Sequence, residues 1–269
     1  MSGTGNDFII IDHRKPFLKR EEMSGFARSV CRRRFSVGAD GLILIENDDN
    51  ADFRWQFYNG DGSEAEMCGN GARCAARFAY AKGIAPASMS FLTVAGKISA
   101  EVKGESVKLA MTPPENLQLE RKVNVGGADM VVNSLNTGVP HAVVFVENNG
   151  ETPVKEWGYN IRFHEIYQPA GTNVNFVEVA APNEIHVRTY ERGVEDETMA
   201  CGTGAVASAI IAALAKEVVS PVKVTTSGGE ILTIHFKIDQ QADTVISDVY
   251  LEGPAHFIYE GELQQDALI

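Results

Sequence analysis

Cys68-Gly-Asn-Gly-Ala72 and Cys201-Gly-Thr-Gly-Ala205 are one five-residue turn written twice, each matched residue lying 133 positions from its counterpart. The same offset links Thr93 to Thr226, Gly96 to Gly229 and Ile98 to Ile231. A single register covering a cysteine turn, an Ala-rich run and a strand-turn-strand is the mark of internal duplication, so the chain reads as two homologous halves. The Ala-rich runs Gly71–Lys82 and Gly204–Lys216 are apolar nearly all round, as in helices wrapped by sheet. Runs rich in Val, Ile, Thr and aromatics predict strands at Phe8–Asp12, Gly41–Glu46, Phe53–Tyr58, Ser106–Met111, Ala142–Val146, Val174–Val179, Ile185–Tyr190 and Val222–Thr226. The fold class is therefore α+β. Thr112-Pro-Pro-Glu-Asn116 breaks both helix and strand, which places the domain boundary so that 1–115 carries Cys68 and 116–255 carries Cys201. The tail, about 256–269, is assigned back to the first half.

The chain has 269 residues, 44% of them apolar, enough to bury a sizeable core. Its 24 basic and 36 acidic residues leave a net charge of −12, which disfavours nucleic acid and anionic membrane surfaces as partners. A small molecule is the expected partner, and an anionic one must be drawn in by a local site. Four cysteines, none in a CxxC pair, fit free thiols in a reducing cytoplasm. The N-terminus shows no basic-plus-apolar leader, and the longest apolar stretch, Ala205–Ala215, is too short to span a bilayer.

A cysteine that opens a helix sits at the positive end of the helix dipole, which favours thiolate. Gly69, Gly71, Gly202 and Gly204 lack Cβ atoms, so the helix N–H groups can approach a bound carboxylate closely. With both halves facing one substrate, a thiolate would take a proton from one face of a carbon and a thiol would deliver one to the other. Amide dipoles would hold the developing charge. No metal site is expected. No Walker loop, dinucleotide fingerprint or pyridoxal-type lysine is visible, so no cofactor is expected either. Cys31 and Cys74 read as packing residues.

Gly3-Thr-Gly-Asn-Asp-Phe8, Asn59-Gly-Asp-Gly-Ser-Glu64, Met67-Cys-Gly-Asn-Gly-Ala-Arg-Cys74, Gly138-Val-Pro-His141, Asn173-Val-Asn-Phe176, Glu191-Arg-Gly193 and Ala200-Cys-Gly-Thr-Gly-Ala205 together resemble the diaminopimelate epimerases, in family order and across nearly the whole chain. The resemblance implies cofactor-independent conversion of LL- to meso-diaminopimelate in lysine and peptidoglycan-precursor synthesis. It also implies two halves that are each a barrel-like, mostly antiparallel sheet around a central helix, and a homodimer. By position it makes Cys68 and Cys201 the acid–base pair, with Gly69, Asn70, Gly202 and Thr203 around the reacting carboxylate. Asn6, Asn59, Asn173, Glu191 and Arg192 match the residues that hold the distal end, and His141 is a supporting residue. That end carries an ammonium and a carboxylate, which suit Glu191 and a forked Arg192.

The chain also departs from the common pattern. Val139 replaces an asparagine, Gly41 stands where some members have a glutamine, the loop Gly193–Thr198 is longer and more acidic, and the strand that usually precedes Gly3 is very short or missing. Competing expectations are a two-cysteine racemase for proline or another amino acid, and a thiol-switch binding protein. An isomerase of the related PhzF type would not keep both cysteines.

Overall fold

The structure of the chain, a computed structural model, describes residues 1–215, 217–240 and 244–268. It divides into two compact units, Met1–Leu109 with Gly253–Ile269, and Ala110–Glu252. The boundaries thus follow Leu109 and Glu252 rather than residues 115 and 255. Two details explain the first of these: the Met111 N–H donates to Val249 O at 2.9 Å, and a strand of the second unit begins at Glu115 directly after the two prolines. Lys216 and Ile269, at the expected ends of the second helix and the tail, lie outside the described residues.

The first unit contains β1 (Ser2–Gly3), β2 (Asn6–Asp12), α1 (Arg20–Val30), β3 (Gly41–Glu46), β4 (Phe53–Asn59), α2 (Gly69–Ala81), β5 (Ser88–Thr93), β6 (Gly96–Lys103) and β7 (Ser106–Ala110). Its strands pair in chain order, parallel at β2/β3 and β4/β5 and antiparallel elsewhere. The run Gly41-Leu-Ile-Leu-Ile45 is apolar at every position because β3 is covered on both faces. Ile43 and Ile45 pack with Ala72, Ala75, Ala76 and Ala79 of α2, while Leu42 and Leu44 meet Met23, Ala27 and Val30 of α1. Alanines on α2 let the helix lie close to the sheet. A Cβ on Gly41 would stand 2.6 Å from a Phe57 ring carbon and 2.8 Å from Tyr58 O, so no larger side chain fits there without a backbone shift.

The second unit contains β8 (Glu115–Val125), β9 (Ala128–Asn136), β10 (Pro140–Phe145), α3 (Val154–Arg162), β11 (Asn173–Ala181), β12 (Glu184–Glu191), β13 (Asp196–Thr198), α4 (Gly202–Leu214), β14 (Val222–Thr226), β15 (Ile231–Asp239) and β16 (Val245–Pro254). Its strand order is β16-β15-β14-β12-β11-β10-β9-β8, with β13 added to β12. The pairs β10/β11 and β12/β14 are parallel. Helix α4 is apolar on every side because strands surround it, from Val143, Val177 and Val187 to Leu232, Ile234 and Leu251. Helix α3 covers the other side of β11 through Val154 and Ile161, which share a cluster with Val174 and Phe176. Helices α2 and α4 begin and end at positions 133 apart, so the repeat seen in the sequence is a repeat of the central helix in each unit. Among the described residues, no helix is long and apolar enough to cross a membrane.

Candidate active site

Each central helix has a cysteine as its N-cap, Cys68 for α2 and Cys201 for α4, and both caps are extended, with φ −149° and −124°. Neither thiol caps the helix through its side chain, and the first intrahelical bonds are Ala72 N–H to Cys68 O and Ala205 N–H to Cys201 O. The N–H groups of Gly69, Asn70 and Gly71, and of Gly202, Thr203 and Gly204, therefore have no carbonyl one turn back. Three donors and the positive end of a dipole collect beside each sulfur, a setting that favours an anion. A Cβ on Gly69 would meet nothing within 4 Å, so the approach to the α2 donors is open. At Gly204 the role of glycine is different: a Cβ would overlap Asn175 Oδ1 and lie 3.2 Å from Cys201 Sγ.

In the first unit, hydrogen bonds gather Asn6 and Asn70. Asn70 Nδ2 donates to Asn6 Oδ1 at 2.8 Å, and Asn6 Nδ2 donates to Asp40 Oδ2 at 3.0 Å. Asp40 and Asp7 share the Arg33 guanidinium. Arg73, wholly buried, donates to Thr4 Oγ1 at 2.5 Å, Asn70 Oδ1 at 2.8 Å, Gly69 O at 3.4 Å and Pro254 O at 3.3 Å. Asn59, at the end of β4, stands apart from this network: it is exposed, and its amide donates to Ser63 Oγ at 3.0 Å.

In the second unit, His141 and Asn173 are register partners on β10 and β11. Asn173 Oδ1 accepts the Arg192 N–H at 2.9 Å, and the Arg192 Nη1 donates to Ala170 O at 3.0 Å. Glu191 accepts the Thr198 hydroxyl at 2.9 Å, and its burial raises the carboxyl pKa against that bond. The long loop after Arg192 is tied down by its own acids. Glu195 pairs with Arg162, Asp196 with Lys155 and Glu197 with Arg188. Cys201 lines a small pocket with Val187, Thr189, Thr198, Thr226 and Ser227. Cys31 and Cys74 are buried, and burial pushes both thiols up to about 12, out of the range of useful acid–base work.

Asn175, Arg73 and Asp40 were missed in the sequence. Asn175 had a readable signal: it follows Asn173 at period two in an otherwise apolar strand, and two asparagines on one face of a buried strand need partners. Arg73 had a weaker one, a lone charge in an alanine helix.

His141 is 1% exposed, and burial, reinforced by the charge of Arg192, lowers its pKa to about 3. The folded state keeps this imidazole neutral, whereas the unfolded chain protonates it near pH 6.5. Between those values the unfolded state binds the extra proton, so stability falls as pH falls. Lowering the pH from 6 to 4 is expected to cost about 2 kcal/mol through this group alone. Urea denaturation of wild type and His141→Gln at the two pH values tests it. Equal pH slopes for the two proteins would refute the assignment.

The family model described as diaminopimelate epimerase matches residues 1–117 and 133–258. A diaminopimelate epimerase of Aquifex aeolicus is 49% identical over 279 residues, covering 100% of this chain and 98% of that relative. One from Chlorobaculum tepidum is 43% identical, covering 98% and 99%. Among solved structures, a phenazine biosynthesis protein of the PhzF family from Bacillus anthracis matches with TM-score 0.71 at 16% identity, over 94% of this chain and 92% of that one. A hydroxyproline epimerase from Agrobacterium vitis matches with TM-score 0.66 at 16% identity, over 96% and 89%. The structural neighbours share the two-unit fold, and the sequence relatives narrow it: with its duplicated cysteine cap, the chain belongs to the diaminopimelate epimerase family.

Proposed function

We propose that the chain epimerises LL-diaminopimelate to the meso form in lysine and peptidoglycan-precursor synthesis, using Cys68 and Cys201 as the acid–base pair. The observation that carries this reading is the repeated N-cap cysteine, each beside three helix N–H groups without an intrahelical acceptor. One sulfur, as thiolate, takes the α-proton; the electron pair left on carbon is stabilised through the carboxylate by those N–H groups; the other sulfur, as thiol, delivers a proton to the opposite face. The reverse reaction exchanges the two roles. Gly69, Asn70, Gly202 and Thr203 provide the backbone donors. Arg192 takes the distal carboxylate in a forked pair and Glu191 the distal ammonium, with Asn6, Asn59 and Asn173 completing that end. Thiol chemistry of this kind requires no cofactor.

A substrate without a charged distal end, such as proline, would leave Glu191 and Arg192 unmatched, which favours diaminopimelate. The homodimer that the resemblance implies is part of this reading. Sparse cysteines, with Cys31 and Cys74 buried as thiols, support a reducing cytoplasm. Incubation of the reduced protein with LL-diaminopimelate in heavy water is expected to give meso product carrying deuterium at the inverted α-carbon, with no exchange into proline. Absence of α-deuterium in recovered diaminopimelate would refute the reading.

A further inference from the structure

The direction of three consecutive hydrogen bonds can be read from Asn175. Its Nδ2 donates to Ala142 O at 3.0 Å, and its Oδ1 accepts the Thr189 hydroxyl at 2.9 Å. A carbonyl only accepts, so the carboxamide cannot be turned the other way without setting oxygen against oxygen. The same Nδ2 lies 3.1 Å from His141 Nδ1, which must then be the ring's bare, accepting nitrogen. The neutral imidazole carries its hydrogen on Nε2, which lies 3.0 Å from Thr203 Oγ1. Because the Thr203 oxygen accepts from the ring, its own hydrogen turns away, and the neighbour that remains is Cys201 Sγ at 3.6 Å. All four residues are in one unit and Asn175 and His141 are buried.

We propose that Asn175 and His141 are positioning residues that lock the Thr203 hydroxyl as a donor to Cys201, favouring the thiolate form of that sulfur. This rests on the reading of Cys201 as an acid–base group. A hydroxyl that could rotate would spend part of its time as an acceptor facing the thiol; one whose oxygen is already engaged by Nε2–H points its hydrogen at sulfur throughout. The same helix turn in the first unit has Asn70 in place of Thr203, and that amide is committed to Arg73 and Asn6. The donor relay is thus a feature of the second half alone. Other charged groups on the elements around Cys201 are Arg192, Glu191 held by Thr198, and Glu197 held by Arg188 and Ser227.

The test follows alkylation of Cys201 by iodoacetamide across pH in the full chain, read peptide by peptide by mass spectrometry. Thr203→Val is expected to raise the midpoint of Cys201 reactivity by about one pH unit, a tenfold loss of thiolate at neutral pH, and Thr203→Ser to restore it. In the wild-type protein, ¹⁵N NMR is expected to show His141 protonated at Nε2 and bare at Nδ1 from mildly acidic to basic pH, a measurement that needs no variant to fold. A Thr203→Val midpoint equal to wild type, or a hydrogen on Nδ1, would overturn the relay. Neither readout uses substrate. A shifted midpoint without diaminopimelate turnover would leave the relay standing and sink the substrate assignment, and turnover with an unmoved midpoint would do the reverse.

Discussion

Alanine at Cys68 or at Cys201 is expected to lower the rate of meso-diaminopimelate formation by about a thousandfold or more, at the upper end of what a positioned acid or base contributes. On the two-thiol reading the loss is large because inversion needs both groups in one turnover. A variant with one thiol can remove a proton and return it to the face it left, but it has nothing to protonate the other face. Serine is expected to rescue little: its hydroxyl ionises far above neutrality and cannot act as the base at the pH where a thiol beside a helix N-terminus can. Circular dichroism and denaturation curves should stay close to wild type, since both cysteines are only partly buried and neither caps its helix through the side chain. Measurement of LL-to-meso conversion for the two variants decides the matter. If either alanine variant keeps a tenth of the wild-type rate, the two-thiol mechanism is wrong.

Arg73→Leu is expected to be the most damaging change outside the cysteines, lowering the stability of the protein by about 3–5 kcal/mol. The guanidinium has no exposed surface and its donors reach Thr4, Gly69, Asn70 and Pro254. Leucine fills part of the space but leaves four oxygens facing carbon, and each buried acceptor stripped of its donor costs about 1–3 kcal/mol. Relaxation of the loop at Thr4 recovers some of that. Against a typical total of about 5–15 kcal/mol the loss is serious, and it reaches the site, because Asn70 and Asn6 are held in the same chain of bonds. A urea denaturation midpoint for Arg73→Leu indistinguishable from wild type would show that the buried network is not what holds this end of α2.

The central helices and several of the strands around them were legible because duplication prints one register twice and because buried strands such as β3 are apolar throughout. The strand pair β8/β9 was not. Its register shifts at Gln118 and Arg121, and Asn116 and Glu120 take positive φ, so the alternation that marks a half-buried strand is interrupted. Helix α1 did carry a signal in Met23, Ala27 and Val30, at helical spacing, but apart from Phe26 its other positions are polar, and Gly25 dilutes it. At the candidate site, residue types and spacing pointed to the cysteines and glycines. They could not reveal that Asn6 is held by Asp40 or that the Thr203 side chain, rather than its backbone alone, faces Cys201. Hydrogen-bond direction depends on what each partner has already given away, and that is a property of the folded arrangement.

The second unit is one unbroken stretch of chain, whereas the first is completed only by Gly253–Ile269. On a ribosome the order of completion is therefore inverted. The N-terminal unit emerges first but has to wait, with Arg73 short of Pro254 O, Arg77 short of Ala255 O and Ser2 short of its bridge to His256, until the stretch that starts at Gly253 has been made. The later-made unit is complete by Glu252, where only the last two residues of β16 are still to come, and can close while the earlier one is still open. A nascent chain stalled before Gly253 has emerged would accordingly present a protease with a folded second half and a cleavable first half, although the first half left the tunnel long before.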